Sequence, residues 1–248
     1  MIGQYLQNCL KEVSVDCVIF GFDNETLKVL LLKWKHIDYW SLPGGKIEMQ
    51  EDLNDAAERI LEQRVGLKGV FLNQFNVFGE IDRFTHYDKK ETIRLLEKSI
   101  GEDLSKIHPD NRVLSVGYYA LLDINKVRAI PDEYTDECQW MDLKKIPHLL
   151  FDHNHMVELA IKTLRREIKH QPIFNLLPEK FTLSEIQQLY ESILDKTFDR
   201  RNFHKQITKQ DFLVKLGEKR IGQANKAPNL YRFDQSKYDK ALEAGMVF

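Results

Sequence analysis

The chain has 248 residues, 43% of them hydrophobic and 30% charged, with only 7 prolines and 12 glycines. That excludes disordered, fibrous and low-complexity classes and leaves enough chain for two domains. The formal net charge of -2 is unevenly spread: residues 172–248 hold 13 basic against 10 acidic residues, and Lys196 through Arg232 hold 10 against three. Such a basic segment is the footprint of nucleic-acid contact.

The densest apolar run, Val29 to Leu32, is stopped by Lys28 and Lys33, far short of the roughly 18 residues of a membrane span. Met1 to Asp16 lacks the basic start and continuous apolar stretch of a signal peptide, so a cytoplasmic location without membrane contact is expected. Cys9, Cys17 and Cys138 are odd in number and lack C-x-x-C spacing, which suits reduced structural thiols rather than disulfides or a zinc site.

Val13 to Phe20 and Leu27 to Trp34 are β-branched, apolar runs around Gly21 to Thr26, the pattern of a hairpin. After the loop Leu42-Pro43-Gly44-Gly45, apolar positions from Leu53 to Val65 recur at helical spacing and Gly66 supplies a C-cap. Further strands are predicted at Val70–Phe78, Val113–Leu122 and Gln139–Asp142, with a helix over about Asn154–Ile168. The stretch Phe84 to Asn111 interrupts this order, and Ile93, Leu96 and Ile100 predict an inserted helix within it, over Glu91–Ile100. A boundary is expected near Gln171-Pro172.

Beyond that boundary, Thr182 and Glu185 have capping-box spacing, with Phe181 and Ile186 placed as a hydrophobic staple. Leu183, Ile186, Leu189, Tyr190, Ile193 and Leu194 form the core face of that helix. Asp199 caps a second helix from Arg200 to about Gln210, on which Phe203 and Ile207 point inward while Arg201, His204, Lys205 and Thr208 form an outward stripe. Phe212–Val214 and Leu230–Phe233 read as strands flanking a basic segment that starts at Gly217-Glu218-Lys219-Arg220 and ends at Pro228: a wing. Arg can read guanine bidentately and Lys can hold phosphates, so double-stranded DNA is the expected partner.

Gly45, Glu51, Arg59, Leu61, Gly66 and Leu67 keep the spacing G-x5-E-x7-R-x-U-x4-G-U, where U is aliphatic. This resembles the Nudix box, whose glutamates share one helix face and gather magnesium to polarise a pyrophosphate. The three remaining positions of the box hold Ile60, Gln63 and Arg64, none of them a carboxylate. Glu58 and Glu62 lie off the signature face and suit solvated surface. The expectation is a protein without catalytic residues, cofactor or metal. The alternative is a magnesium-dependent Nudix hydrolase of ADP-ribose or another nucleoside diphosphate derivative.

The whole chain resembles the Nudix-related transcription regulators of the NrtR and AraR type. The resemblance is carried by this box and by Phe78-Gly79-Glu80-Ile81-Asp82-Arg83, Ser115 to Ala120, Phe151-Asp152-His153, Asn175 to Leu183 and Asp199-Arg200-Arg201-Asn202-Phe203. It implies an α+β chain: a Nudix-like α/β/α sandwich over residues 1–171, sensing an effector, followed by a winged helix-turn-helix over 172–248. It further implies a homodimeric regulator, usually a repressor, responsive to a small molecule; the Phe-Asp-His and Asn-Leu-Leu-Pro segments favour an L-arabinose-like sugar over an ADP-ribose-like metabolite. Arg200, Arg201, Asn202, His204, Lys205, Thr208, Lys219 and Arg220 are the expected DNA contacts, and Trp40, Asp82, Arg83 and Tyr118 the candidate effector contacts. Phe84 to Asn111 is longer than the family's usual connection. Asp152, His153 and His155 match no zinc spacing and suit a helix cap. A third reading, a sensor for a protein or RNA partner, explains the wing less well.

Overall fold

The first two apolar runs form β1 (Cys9–Phe22) and β2 (Leu27–Trp34), which pair around a turn where the Asp23 carboxylate accepts the N–H groups of Glu25 and Thr26. The computed structural model describes residues 9–81, 83, 88–101, 103, 113–126, 128–170, 173–220 and 227–244. Val15 and Cys17 to Phe20 have no exposed surface, as expected of a strand covered on both faces.

Short β3 (Trp40–Ser41) and β4 (Gly44–Glu48) lead into helix α1 (Leu53–Val65), whose buried face is Ala56, Ala57, Ile60, Leu61 and Val65. Gly66 ends α1 in the left-handed conformation at φ 71°, the geometry for which a glycine cap is selected. Strand β5 (Asn73–Phe78), helix α2 (Lys89–Ile100), β6 (Leu114–Asp123), β7 (Thr135–Asp142) and α3 (His153–Glu167) follow. The seven strands form one sheet in the order β3-β2-β1-β6-β5, with β4 on β1 and β7 on β2. Antiparallel pairing sets Val15 opposite Gly45 and Asp16 opposite Gly44.

The inserted helix is present from Lys89, with the Asp88 side chain accepting the Glu91 N–H and Gly101 closing it. Most of the surrounding insertion, and Asp82, lie outside the described residues. Several strand limits differ from expectation, among them those of β1, which runs from Cys9 to Phe22 rather than from Val13 to Phe20. Strand β5 starts at Asn73 rather than Val70, and β7 starts four residues earlier, at Thr135. Thr135-Asp136-Glu137 carries no apolar alternation, because β7 is half solvated and paired with β2 alone among the described strands.

The described parts of Met1–Phe20, Val29–Ala120 and Val127–Ala160 form one compact unit, and those of Gly21–Lys28, Leu121–Lys126 and Ile161–Phe248 a second. In the second, α4 (Leu183–Leu194) begins with the complete capping box: the Thr182 hydroxyl accepts the Glu185 N–H and the Glu185 carboxylate accepts the Thr182 N–H. Ile186, Leu189, Tyr190 and Ile193 are its buried residues, whereas Leu183 and Leu194, expected on the same face, are only half-buried because they end the helix. Helix α5 (Arg200–Ile207) is capped by the Asp199 side chain and stops at Thr208, short of Gln210.

Strands β8 (Leu213–Lys219) and β9 (Asn229–Phe233) pair antiparallel, and Phe181 adds a backbone bridge to Tyr231. Gly217, Glu218 and Lys219, expected in the wing's connecting segment, are part of β8; residues 221–226 lie outside the described residues. A final helix, α6 (Gln235–Ala244), has no counterpart in the sequence reading. Its mainly polar sequence buries Tyr238 among Phe174, Phe212 and Phe233, with ring centroids 4.7 to 5.5 Å away.

Candidate functional site

The framework of the Nudix-like box is intact as a piece of structure. Arg59 forms two bonds to the Glu51 carboxylate, at 2.8 and 2.6 Å, and a third to the Lys46 carbonyl at 2.9 Å. Glu51 also accepts the Glu48 N–H at 2.7 Å. The Arg59 hydrogen bonds outweigh burial and hold the Glu51 carboxyl below its ordinary range. This set fastens the loop before α1 onto the helix.

The positions where a carboxylate would hold metal serve other purposes. Ile60 is buried beneath the loop, so close that a Cβ on Gly45 would lie 3.2 Å from its side chain. The Gln63 carbonyl oxygen accepts from Arg59 at 2.8 Å. Arg64 is ion-paired with Asp132, and its guanidinium lies 5.2 Å from the Trp34 ring centroid and 6.0 Å from that of Tyr134. Glu58 is exposed and Glu62 pairs with Lys68 at 2.6 Å. Among the described residues no group of three His, Cys, Asp or Glu side chains is placed to hold a metal ion.

Beside the box lies a buried polar cluster whose pairing no local spacing signals. Leu42 N–H donates to His153 Nδ1 at 3.0 Å, which leaves Nε2 as the protonated nitrogen, 3.3 Å from Asp16. Ser115 donates its hydroxyl to the other Asp16 oxygen. Burial pushes the Asp16 carboxyl up, but the His153 and Ser115 hydrogen bonds and the Arg83 charge prevail and lower it. A Cβ on Gly44 would collide with Asp16, which is why the loop needs glycine there.

Of the candidate effector contacts, Arg83 is 5% exposed and grips Asp152 with two bonds, at 2.6 and 2.9 Å, while also donating to the carbonyls of Phe78 and Val113. Asp152 thus anchors a guanidinium. Tyr118 is 1% exposed, its hydroxyl donating to Asn54 at 2.8 Å. Trp40 is half-buried in β3, with Lys33 Nζ 5.8 Å from its ring centroid. The fold thus brings Arg83 to Asp152, Tyr118 to Asn54 and Trp40 to Lys33.

In the second unit Arg200, Arg201, Asn202, Lys205 and Thr208 are exposed around α5 while Phe203 and Ile207 are buried, the expected division. His204 differs. It is half-buried against Phe203 and bonded to the Leu183 backbone, and its imidazole is lowered by burial and the Arg200 charge. Lys219 is exposed on β8. Arg220, expected on DNA, is instead bonded to both oxygens of Glu185, one at 2.5 Å, so it ties the wing to the α4 capping box. Lys180 and Glu218 add a second tie at 2.7 Å. Those two residues are 38 apart in sequence, and Arg220 and Glu185 are 35 apart, a separation at which no local pattern signals pairing.

A NUDIX domain model matches residues 10–160, and an NrtR DNA-binding winged helix domain model matches residues 173–233. The ADPR responsive transcriptional repressor NtrR of Acinetobacter baylyi is 26% identical over 236 residues, 92% of this chain and 84% of that protein. The fold is similar to that of Shewanella oneidensis NrtR, with a TM-score of 0.64 at 24% identity over 91% of this chain and 95% of that one. In its complex with a 27mer DNA that protein gives a TM-score of 0.65 with the same identity and coverage. A MutT/nudix family protein from Enterococcus faecalis gives 0.64 at 21% identity, covering 94% and 92%. The chain therefore belongs to the Nudix family and is built as a Nudix domain followed by an NrtR-type winged helix.

Proposed function

We propose that this protein is a DNA-binding transcriptional repressor of the NrtR type, whose Nudix domain senses ADP-ribose or a close relative without hydrolysing it. One observation carries the reading: the box keeps its structural pair, Glu51 and Arg59, while Ile60, Gln63 and Arg64 replace the metal-holding carboxylates and are engaged in packing, a hydrogen bond and an ion pair. A domain that retains the scaffold without the carboxylates needed for two-metal chemistry is suited to binding. The exposed cations of α5, on a helix seated by Phe203 and Ile207, support DNA as the partner. ADP-ribose takes precedence over the sugar favoured by the Phe-Asp-His and Asn-Leu-Leu-Pro segments because the Acinetobacter relative is named for it. A homodimer, residues 1–171 as sensor and 172–248 as DNA-binding domain belong to the same proposal.

The test is fluorescence-anisotropy binding to DNA upstream of the protein's own gene and neighbouring operons, against scrambled competitor at fixed salt. ADP-ribose and L-arabinose are compared, each with and without EDTA. Sequence-specific binding weakened by ADP-ribose, unaffected by EDTA, is the expected result. Magnesium-dependent release of ribose phosphate or AMP from ADP-ribose, with no preferred DNA, would establish the hydrolase instead.

A further inference from the structure

Helix α3 is fastened at its two ends by separate sets of bonds. At its start, three consecutive residues collect several segments of the first unit. Asp152 holds Arg83, which itself grips the carbonyls of Phe78 and Val113. His153 takes the Leu42 N–H and faces Asp16 of β1. Asn154 accepts the Leu149 N–H and donates to the Pro147 carbonyl. Any ligand that shifts the loop before the box therefore acts on the first turn of α3.

At the other end, in the second unit, Arg165 Nε donates to the Ile193 carbonyl at 2.6 Å. Ile193 is in the last turn of α4, where carbonyls lack partners within the helix and the helix dipole favours a cation. The turn that follows is stitched together. Glu191 accepts the Phe198 N–H, Gln187 donates to both Glu191 and the Phe198 carbonyl, and Asp199 then caps α5. What Arg165 grips is thus part of the piece that sets where the DNA-facing helix begins. His153 and Arg165 are separated by about 18 Å of helix at 1.5 Å per residue. The sequence from His153 to Glu167 contains neither Gly nor Pro, the usual causes of a kink.

We propose that α3 transmits ligand occupancy of the Nudix domain to the winged helix, and that Arg165 is the positioning residue through which the coupling passes. This rests on the regulator reading above. A ligand changes DNA affinity only by favouring one arrangement over another, and the Arg165 bond is one described link through which the arrangement of α4 and α5 depends on α3.

The experiment uses the full chain as wild type, Arg165→Ala and Arg165→Lys. Operator affinity is measured with and without saturating ADP-ribose, and ADP-ribose binding is measured separately by calorimetry. In wild type the two operator affinities are expected to differ by about 5- to 150-fold, the usual range of allosteric coupling. Arg165→Ala is expected to bind ADP-ribose as wild type does, yet to lose most of that ratio, and Arg165→Lys, which keeps a cation beside the carbonyl, to recover part of it. An unchanged ratio in Arg165→Ala overturns the proposal. Amide hydrogen exchange separates failure of the regulator reading from failure of this one, and needs no ligand. Asn154→Ala, which removes the bonds to Leu149 and Pro147 at the start of α3, is expected to speed exchange over residues 191–199 when Arg165 is present and to have no such effect in Arg165→Ala. Equal acceleration in both chains overturns the coupling even if ADP-ribose proves not to be the effector.

Discussion

The buried charges of the Nudix domain lie where one atom's partner determines another's state. Asp16 is held ionised in a nearly dry site by His153, Ser115 and Arg83, so its folded carboxyl titrates below the ordinary value of 3.8. Its contribution to stability is present above that ordinary value and disappears as pH falls through the lower folded one. Urea denaturation between about pH 2.5 and 6 should therefore show wild type losing stability below about pH 4 more steeply than Asp16→Asn. A parallel decline of the two would exclude Asp16 as the source. The Arg83–Asp152 pair is similarly enclosed, at 5% and 10% exposure. Removing one member leaves the other unpaired, so Arg83→Ala should cost about 3–5 kcal/mol in denaturation. Loss of ADP-ribose binding at unchanged stability would instead place Arg83 on the ligand.

At the scale of the element, α5 and the wing are expected to contribute differently to DNA binding. Arg201 is exposed on the helix that faces DNA in this reading, while Lys219 is exposed on β8. Arg201→Ala is expected to weaken operator binding more than scrambled-DNA binding. Lys219→Ala should weaken both alike and reduce the log-log salt slope by about 0.9, as for one lost phosphate contact. Equal losses on both DNAs for Arg201→Ala would show that it reads no base. Such effects are interpretable because Phe203 and Ile207 anchor α5 and Asp199 caps it. Arg220 belongs outside this comparison: its bonds to Glu185 make it a brace of the wing, so its removal perturbs the fold and the DNA surface together.

At the scale of the molecule, the aromatic core of the winged helix extends past the residues that match its family. Tyr238 on α6 is 2% exposed and closes a cluster with Phe174, Phe212 and Phe233. The family match stops at residue 233. Tyr238→Ala removes a large buried ring and should destabilise the chain by about 3–5 kcal/mol, read by thermal or urea denaturation. A change below about 1 kcal/mol, the level of a surface substitution, would mean that α6 is dispensable.

The sequence alone determined whatever depends on near neighbours. Helix periodicity, the Gly66 cap, the Thr182–Glu185 box and the Asp199 cap are recorded within a few residues of each other, and each is found where its pattern lies. The degenerate Nudix box was legible for the same reason, since its spacing is that of one loop and one helix. Polar β7 and α6 were less legible because their burial depends on other elements rather than on their own alternation. Only the tertiary structure decided which charges are spent on the fold. Arg83 with Asp152, Arg64 with Asp132, Arg220 with Glu185 and Arg165 with the Ile193 carbonyl join residues 28 to 69 positions apart. A charged side chain looks the same in sequence whether it meets solvent, DNA or a buried partner, and desolvation by distant chain determines which of these it does.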